Sequence, residues 1–219
     1  MMKKKGRSLS MKIKLLIRSA LASLFLLSLP VLGIDPAESL LEKLAQQHTI
    51  EANFDQSVFD DTEKIVSKSH GQMKLSRPER FYWHIEAPDN QWIVANGDWV
   101  WVYDVDLNQV VKRHQSAQNN LPIQILTGSV ESLSTTFDVT MLPSGDNDEI
   151  RYQLINKQSD AVFSSLLLSF KANKLSSMTV KDQLGQKTFF TFNQVIMNQP
   201  IADHWFNFTP PNGVDVIVE

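Results

Sequence analysis

Residues 81–104, FYWHIEAPDNQWIVANGDWVWVYD, contain four of the five Trp residues and two of the three Tyr residues of the 219-residue chain. Large apolar side chains occupy both odd and even positions of this stretch. Ordinary antiparallel sheets cover one face and leave the other in water, which gives an alternation of apolar and polar residues. Here both faces of the predicted sheet are apolar, so the rest of the chain must cover both of them.

A hairpin turn is predicted at Asn96-Gly97, because this pair favours a two-residue type I′ turn in which both positions need positive φ. Such a turn places Val94 opposite Trp99 and Trp92 opposite Trp101. One face then carries Trp92, Val94, Trp99, Trp101 and Tyr103, and the other carries Ile93, Val100 and Val102. In the preceding strand, one face carries Phe81, Trp83 and Ile85, and the opposite face carries Tyr82 and His84.

Two interpretations of these rings remain open from the residues alone. In the first, the rings fill the core of a sandwich or barrel whose outer face is covered by helices, which is the commoner role of aromatic stripes. In the second, several indoles in a small barrel leave a cavity, which would be a site for an apolar ligand. If there is a cavity, we expect the Trp92/Trp101 face to line it, because that face has the larger side-chain volume.

The periodicity of the remaining chain predicts a long antiparallel meander with few helices. Residues 34–48 form an amphipathic helix, capped by Asp35 and started by Pro36, with Leu40, Leu41 and Leu44 as its apolar stripe. Residues 50–58 then alternate with period two, as in a strand. Further strands are predicted at 64–75, 80–86, 91–95, 98–104, 107–113, 136–142, 149–156, 162–171, 174–182 and 187–197.

A helical insert interrupts this series at 121–128, LPIQILTG, where Pro122 marks the start and Gly128 the stop. Its apolar residues are Ile123, Ile125 and Leu126, and residues 129–133 add a further turn. Like the first helix, this insert has apolar surface that could cover the opening of a barrel. So many hairpin-connected strands favour one strongly curved sheet or barrel, in a single domain at 34–219.

The amino terminus predicts a secretory signal peptide at 1–33. Seven Lys and Arg residues and no acid precede the apolar run ALASLFLLSLPVLG, and small residues allow cleavage after Gly33. A membrane anchor would need about 20 apolar residues, and this run is shorter and contains Pro30. The true start could be Met1, Met2 or Met11. With no Cys in the chain, there is neither a disulfide nor a lipid-attachment site.

Charge and motifs argue against nucleic-acid binding and catalysis. Removal of the signal peptide leaves 14 basic against 24 acidic residues, a net charge of −10, which also disfavours anionic membranes. The five His residues have no metal-binding spacing, and the chain contains no nucleophile elbow. Asp104, Asp106 and Asn108 imitate a calcium loop that lacks its Gly and its final acid. We expect no enzymatic activity, no metal and no cofactor, although carboxylates paired by the fold stay an open alternative.

Four segments resemble the outer-membrane lipoprotein carrier family, LolA. The segment 74–104 has an Arg-Pro, an aromatic strand with Trp, a Pro, an apolar strand, Asn-Gly and a Trp/Tyr strand. ANFDQ at 52–56 resembles the family's Phe-x-Gln strand, and NLPIQIL at 120–126 resembles its short lid helix. FNFTPPNGVDVI at 206–217 resembles its closing segment. Absence of a Cys after the signal distinguishes the chain from the family's lipoprotein relative and receptor, LolB.

The resemblance implies a mainly β fold with a few helices (α+β): an incomplete antiparallel β-barrel capped by a helical lid that encloses an apolar cavity. The implied cargo is the acyl chains of lipoproteins in the periplasm of a diderm bacterium. The implied partners are the inner-membrane ABC transporter LolCDE, which supplies lipoproteins, and LolB, which receives them. We expect a monomer. Some family members carry a longer carboxyl-terminal tail that affects transfer to the receptor, and this chain ends soon after the closing segment.

The resemblance also assigns roles to particular residues. Arg77 matches the family's lid latch, an Arg that donates hydrogen bonds to helix carbonyls, whereas the residues alone would favour an ordinary surface ion pair. Phe81 matches a position involved in cavity opening and transfer. Candidate ligand-binding residues are Phe81, Trp83, Trp92, Val94, Trp99, Trp101 and Tyr103; candidate lid residues are Leu40, Leu41, Leu44, Pro122, Ile123, Ile125 and Leu126. The alternatives are a carrier of another lipid or glycolipid in the same fold and, more weakly supported, a carboxylate-based hydrolase.

Overall fold

A single mixed sheet dominates the computed structural model, which describes residues 35–115, 122–127, 133–143 and 148–219. The predicted signal peptide at 1–33 lies outside the described residues. The sheet has twelve strands in the order β12-β6-β5-β4-β3-β2-β1-β11-β10-β9-β8-β7. The strands are β1 (Thr49–Phe59), β2 (Ile65–Ser76), β3 (Arg80–Ala87), β4 (Gln91–Asn96), β5 (Trp99–Asp104), β6 (Gln109–His114), β7 (Phe137–Leu142), β8 (Glu149–Asn156), β9 (Phe163–Lys171), β10 (Lys174–Asp182), β11 (Lys187–Met197) and β12 (Asp215–Val218).

Strand pairing confirms an incomplete, mainly antiparallel sheet. Every neighbouring pair is antiparallel except β6 and β12, which are parallel. Strands β7 and β12 are the two ends of the strand order, so the sheet does not close on itself. The predicted strand boundaries agree with β1 to β11 to within a few residues. The short strand β12 was not predicted from the sequence.

Three α-helices accompany the sheet in the described part of the chain. Helix α1 (Pro36–Ala45) begins as predicted, with the Asp35 carboxylate accepting a hydrogen bond from the Ala37 backbone N–H at 2.9 Å. Helix α2 (Pro122–Thr127) is the predicted insert, and α3 (Leu133–Thr136) follows it. Most of the turn predicted at 129–133 lies outside the described residues. None of the described helices is long and apolar enough to cross a membrane.

The hairpin between β4 and β5 corrects the predicted register. Val94 lies opposite Trp101 instead of Trp99, and Ala95 lies opposite Val100. The turn is not type I′, because φ is positive at Gly97 but not at Asn96. The Asn96 side-chain oxygen accepts hydrogen bonds from the backbone N–H groups of Asp98 and Trp99, at 3.0 and 2.9 Å. The register therefore shifts by two residues, and a shift of two keeps every side chain on its predicted face.

The two faces of the sheet pack against different parts of the chain. One face, here called the inner face, packs together with α1, α2 and α3 in the main core, the inner core. The other face of β3 to β6 carries a second, smaller cluster, the outer cluster. Its buried members are Val94, Trp101, Tyr103 and Val110, with Tyr82, Trp92, Trp99, Val105, Phe208 and Val214 packed against them. The segment after β11 thus provides the second cover that the sequence required.

Candidate functional site

Four aromatic rings from distant parts of the sequence form a cluster on the inner face. The Phe54 ring stacks on the Trp83 indole, with 4.1 Å between centroids. Phe190 meets Trp83 edge to face at 5.3 Å, and Phe192 lies 6.4 Å from Trp83. These rings come from β1, β3 and β11, and all four side chains are at most 8% exposed. We call Phe54, Trp83, Phe190 and Phe192 the inner aromatic cluster.

Gly71 in the middle of β2 makes this ring stacking possible. It is paired with Phe54 on one side and Ile85 on the other, so it lies between the two strands that supply the stacked rings. A Cβ at this position would come within 1.9 Å of the His84 carbonyl oxygen and 2.8 Å of the Phe54 ring. Because Gly71 has no side chain, the Phe54 ring can extend across β2 to Trp83. A Gly inside a predicted strand is the sequence signal of such a close approach.

The face that lies beneath the helices is not the one that we expected to line a cavity. Phe81 and Trp83 belong to the inner core, together with Val100 and the half-buried Ile93 and Val102. The expected set, Trp92, Val94, Trp99, Trp101 and Tyr103, belongs to the outer cluster. The physical reason is the cover supplied after β11: the Phe208 ring lies 6.3 Å from Trp92 and 5.7 Å from Tyr103. Side-chain volume alone was a poor guide, since the larger rings fill a second packed layer.

The residues predicted for the lid lie against the inner face. Leu40 and Leu44 of α1 and Ile123 and Leu126 of α2 are buried in the inner core, and Leu41 and Ile125 are partly buried against it. Pro122 at the start of α2 is half-buried. We call α1 and α2 the lid helices. They contribute aliphatic side chains to the same apolar layer as the inner aromatic cluster, so an apolar chain placed there would contact both.

The turn between β2 and β3 makes hydrogen bonds at the carboxyl ends of both lid helices. The Arg77 side-chain Nε donates to the carbonyl of Gln47, just beyond α1, at 3.1 Å, and the Arg77 backbone N–H donates to the carbonyl of His48 at 2.9 Å. The Glu79 backbone N–H donates to the carbonyl of Thr127, the last residue of α2, at 3.3 Å. We call residues 77–79 the latch turn.

Two features of the latch turn have an energetic cost. Burial lowers the pKa of the Arg77 guanidinium to about 10, because the charged form loses water. The group therefore stays charged at neutral pH, next to carbonyls at a helix end that attract a cation. Glu79 adopts φ +60°, a left-handed conformation that costs of order 1 kcal/mol for a residue with a side chain. The hydrogen bonds of the latch turn thus offset the cost of burying Arg77 and of the positive φ at Glu79.

Gln115 supports the latch turn and was missed in the sequence. Its side chain is 6% exposed, and its amide nitrogen donates to the carbonyl of Glu79 at 2.8 Å. Its amide oxygen accepts from the backbone N–H of Gly97 at 3.0 Å. The latch turn is therefore tied to the β4–β5 turn through one buried amide. A Gln at the end of a strand gives no pattern from which this role could be predicted.

The chemistry of the site is that of apolar binding. Its side chains are mainly aromatic rings and aliphatic groups, and its polar contacts include hydrogen bonds to backbone carbonyls at the latch turn and one between the Ser39 and Tyr152 hydroxyls at 2.8 Å. Among the described residues there is no group of three or more His, Asp or Glu side chains that could hold a metal ion. The Asp104 carboxylate of the calcium-like stretch instead accepts a hydrogen bond from the Leu107 backbone N–H at 3.0 Å.

Comparison of the sequence with known proteins matches the chain to a described family. A family model described as "Outer membrane lipoprotein carrier protein LolA" matches residues 45–209. A protein from Coxiella burnetii named outer-membrane lipoprotein carrier protein is 35% identical over 212 residues, which cover 94% of this chain and 98% of the relative. A protein of the same name from Hahella chejuensis is 37% identical over 188 residues, 85% of this chain and 88% of that relative.

One solved structure supports the fold alone. It is that of an uncharacterised conserved protein from Thermus thermophilus, with a TM-score of 0.52 and 12% sequence identity. The match covers 84% of this chain and 99% of that protein. At such low identity the likeness concerns only the path of the backbone, in agreement with an open sheet and few helices.

Proposed function

The chain belongs to the LolA family of outer-membrane lipoprotein carrier proteins, and from this membership we propose that its inner face binds the acyl chains of lipoproteins and shelters them from water. The family and the relatives' names support the carrier role itself. The place of binding, beneath the lid helices and against the inner aromatic cluster, is the part that we infer. An apolar cavity at this place remains a prediction.

The main support is that the lid helices and the inner aromatic cluster belong to the same apolar layer. Each CH₂ group moved from water into such a layer contributes roughly 0.8 kcal/mol, so an acyl chain there is strongly favoured over water. The helices are short, at ten and six residues, and would be unstable on their own. The helices therefore depend on their contacts with the sheet, and we propose that these contacts change during loading and release.

We assign the latch role to Arg77. Its hydrogen bond to the Gln47 carbonyl stabilises the closed position of α1, and its desolvation opposes that position. A charged group balanced in this way favours closure without making it irreversible. Phe81 is buried in the inner core next to this turn, and we expect it to take part in cavity opening and transfer.

The partners and location follow from the proposed cargo. A carrier of this family would receive lipoproteins from the inner-membrane transporter LolCDE and deliver them to the receptor LolB, working as a monomer in the periplasm. Export would require the signal peptide predicted at 1–33. Carriage requires no bond to be made or broken, which supports a non-enzymatic role.

The test is a release assay. We expect the purified mature protein to release newly made lipoprotein from spheroplasts that contain a matched transporter, and to hold it in a soluble complex. A folded sample that leaves all lipoprotein on the membrane would contradict the proposal. A denatured sample and an unrelated exported protein serve as controls for nonspecific extraction.

A second candidate is a carrier of another lipid or glycolipid. Rings and aliphatic side chains in the inner core contact acyl chains without discriminating what the chains are attached to. Mass spectrometry of ligand co-purified from the native periplasm distinguishes the two candidates. Lipid without attached polypeptide would favour the second, and an acylated polypeptide supports the first.

A further inference from the structure

The inner face of β1 becomes more exposed and more polar towards the end of the strand. Ala52, Phe54, Gln56 and Val58 point to this face in turn, because side chains alternate along a strand. Ala52 and Phe54, towards the latch turn, are 6% and 1% exposed, whereas Gln56 and Val58 are half-buried. The buried apolar surface thus continues into a more open and more polar region at the far end of the strand. Gln56 is the Gln of the Phe-x-Gln segment, and the acyl-binding role does not account for it.

Neighbouring strands place further polar groups beside Gln56. Gln56 pairs with Ser69 of β2 and with Phe190 of β11, and Phe190 belongs to the inner aromatic cluster. Two residues further along β1, at the next position on the same face, Val58 pairs with Ser67 and with Thr188. Residues paired across an antiparallel sheet share a face, so all of these side chains lie on the inner face. We call Gln56, Ser67, Ser69 and Thr188 the polar row.

The polar row has unused hydrogen-bonding capacity. All four side chains are half-buried, and their amide and hydroxyl groups make no hydrogen bond to another residue in the described part of the chain. Partly buried polar groups without protein partners are satisfied by water or by a ligand. The row contains no charged side chain, so it offers no cation to a phosphate and no anion to an amine.

We propose that the polar row binds the ester and amide carbonyls at the acylated end of the cargo, while the acyl chains extend along the inner aromatic cluster towards the latch turn. The Gln56 amide nitrogen and the three hydroxyl groups are neutral donors, which match neutral carbonyl acceptors. The proposal rests on the proposed function and adds to it an orientation: the polypeptide of the cargo leaves at the end of β1 away from Arg77.

The test compares two probes with the same chain length. One is a synthetic triacylated cysteine peptide, which has ester and amide groups; the other is a fluorescent hydrocarbon chain without them. For Gln56→Leu we expect about ten-fold weaker binding of the peptide, the equivalent of one hydrogen bond, and equal or tighter binding of the hydrocarbon. For the isosteric Thr188→Val we expect a loss of roughly three-fold for the peptide alone.

A matched control is Gln153→Leu, since Gln153 is also half-buried but pairs with Leu167 on the opposite face of the sheet. This variant should bind both probes as the unmodified protein does. An unchanged ratio of the two affinities in both Gln56→Leu and Thr188→Val would overturn the inference. If the unmodified protein bound neither probe, the proposed function itself would fail, so the two failures are distinguishable.

Discussion

At the scale of single residues, Gly71 has the most closely defined role in the site. Its lack of a side chain allows Phe54 to reach Trp83, and an added Cβ would clash with a backbone oxygen that cannot move independently. We predict that Gly71→Ala destabilises the protein by about 1–3 kcal/mol through overpacking. Urea unfolding measures this loss, and near-UV circular dichroism should report the disturbed ring stack.

Gly213→Ala is the control for this substitution. A Cβ at Gly213 meets nothing within 4 Å, and only its φ of +82° disfavours a side chain. We expect the free energy of unfolding to fall by about 1 kcal/mol and the near-UV spectrum to stay unchanged. Equal effects of the two substitutions on the spectrum would contradict the role given to Gly71.

Arg77→Leu tests the latch. Because an apolar side chain removes a desolvated charge, we predict that the variant folds with stability close to that of the unmodified protein. The Gln47 carbonyl then loses its donor, so the lid helices should open and close abnormally and impair loading or release. The measurement is the rate of lipoprotein transfer to receptor-containing membranes.

Arg80→Leu provides a matched comparison for Arg77→Leu. The Arg80 guanidinium pairs with Asp203 at 2.8 Å, lies over the Phe206 ring and donates to the Ser76 hydroxyl at 2.9 Å, so these contacts are to the segment after β11 and to β2, and not to the lid helices. Arg80→Leu should lower the free energy of unfolding by up to about 1 kcal/mol and leave the transfer rate unchanged. Unchanged transfer in Arg77→Leu would remove Arg77 from the mechanism.

Sequence reasoning identified some residues of this site and could not identify others. Arg77 follows from a recognisable Arg-Pro in a segment that resembles a family. The signal for Gly71 is a Gly in the interior of a predicted strand. Gln115 had none, because its two amide hydrogen bonds connect the latch turn to Gly97, and those turns are brought together only by the fold.

At the scale of elements, the two faces of strands β3 to β5 belong to two different apolar clusters. Trp83 faces the lid helices and Trp101 faces the cover after β11. We predict that Trp83→Leu weakens binding of an acyl probe several-fold, because it removes the ring on which Phe54 stacks. We predict that Trp101→Leu lowers stability by about 1–3 kcal/mol with unchanged probe affinity.

Fluorescence titration with the acyl probe and urea unfolding of both variants measure these effects. The two substitutions each remove an indole ring, from β3 and from β5 on either side of β4, so each is the control for the other. If Trp101→Leu were the variant that loses affinity, the inner face would not be the binding face.

Strand periodicity could predict the two sets of side chains but not which set faces the helices. A two-residue error in the β4–β5 register did no harm, because it left each side chain on its face. Which of the two faces packs against the helices depends on a distant segment. Phe208 and Val214, far along the chain, decide which face is the outer one, and no local pattern in 81–104 contains that information.

At the scale of the whole molecule, an unclosed sheet with two covers explains the opening sequence feature. The outer cover is packed by rings such as Phe208, whereas the inner cover is made of short helices tied at the latch turn. Both faces of the aromatic strands are therefore apolar, one for stability and the other, in the proposed function, for cargo. The fold class could be predicted because so many strands were visible; the covering segment at 203–218, with a 3-10 helix and β12, has too little periodicity.

Photo-cross-linking tests the central claim most directly. A lipoprotein peptide carrying a photoreactive group on its acyl chain would be bound to the intact protein, irradiated, digested and mapped by mass spectrometry. We predict adducts on Phe54, Trp83, Phe190 or Phe192, on the inner face. Adducts confined to Trp92, Trp101 or Tyr103 in the outer cluster would contradict the account.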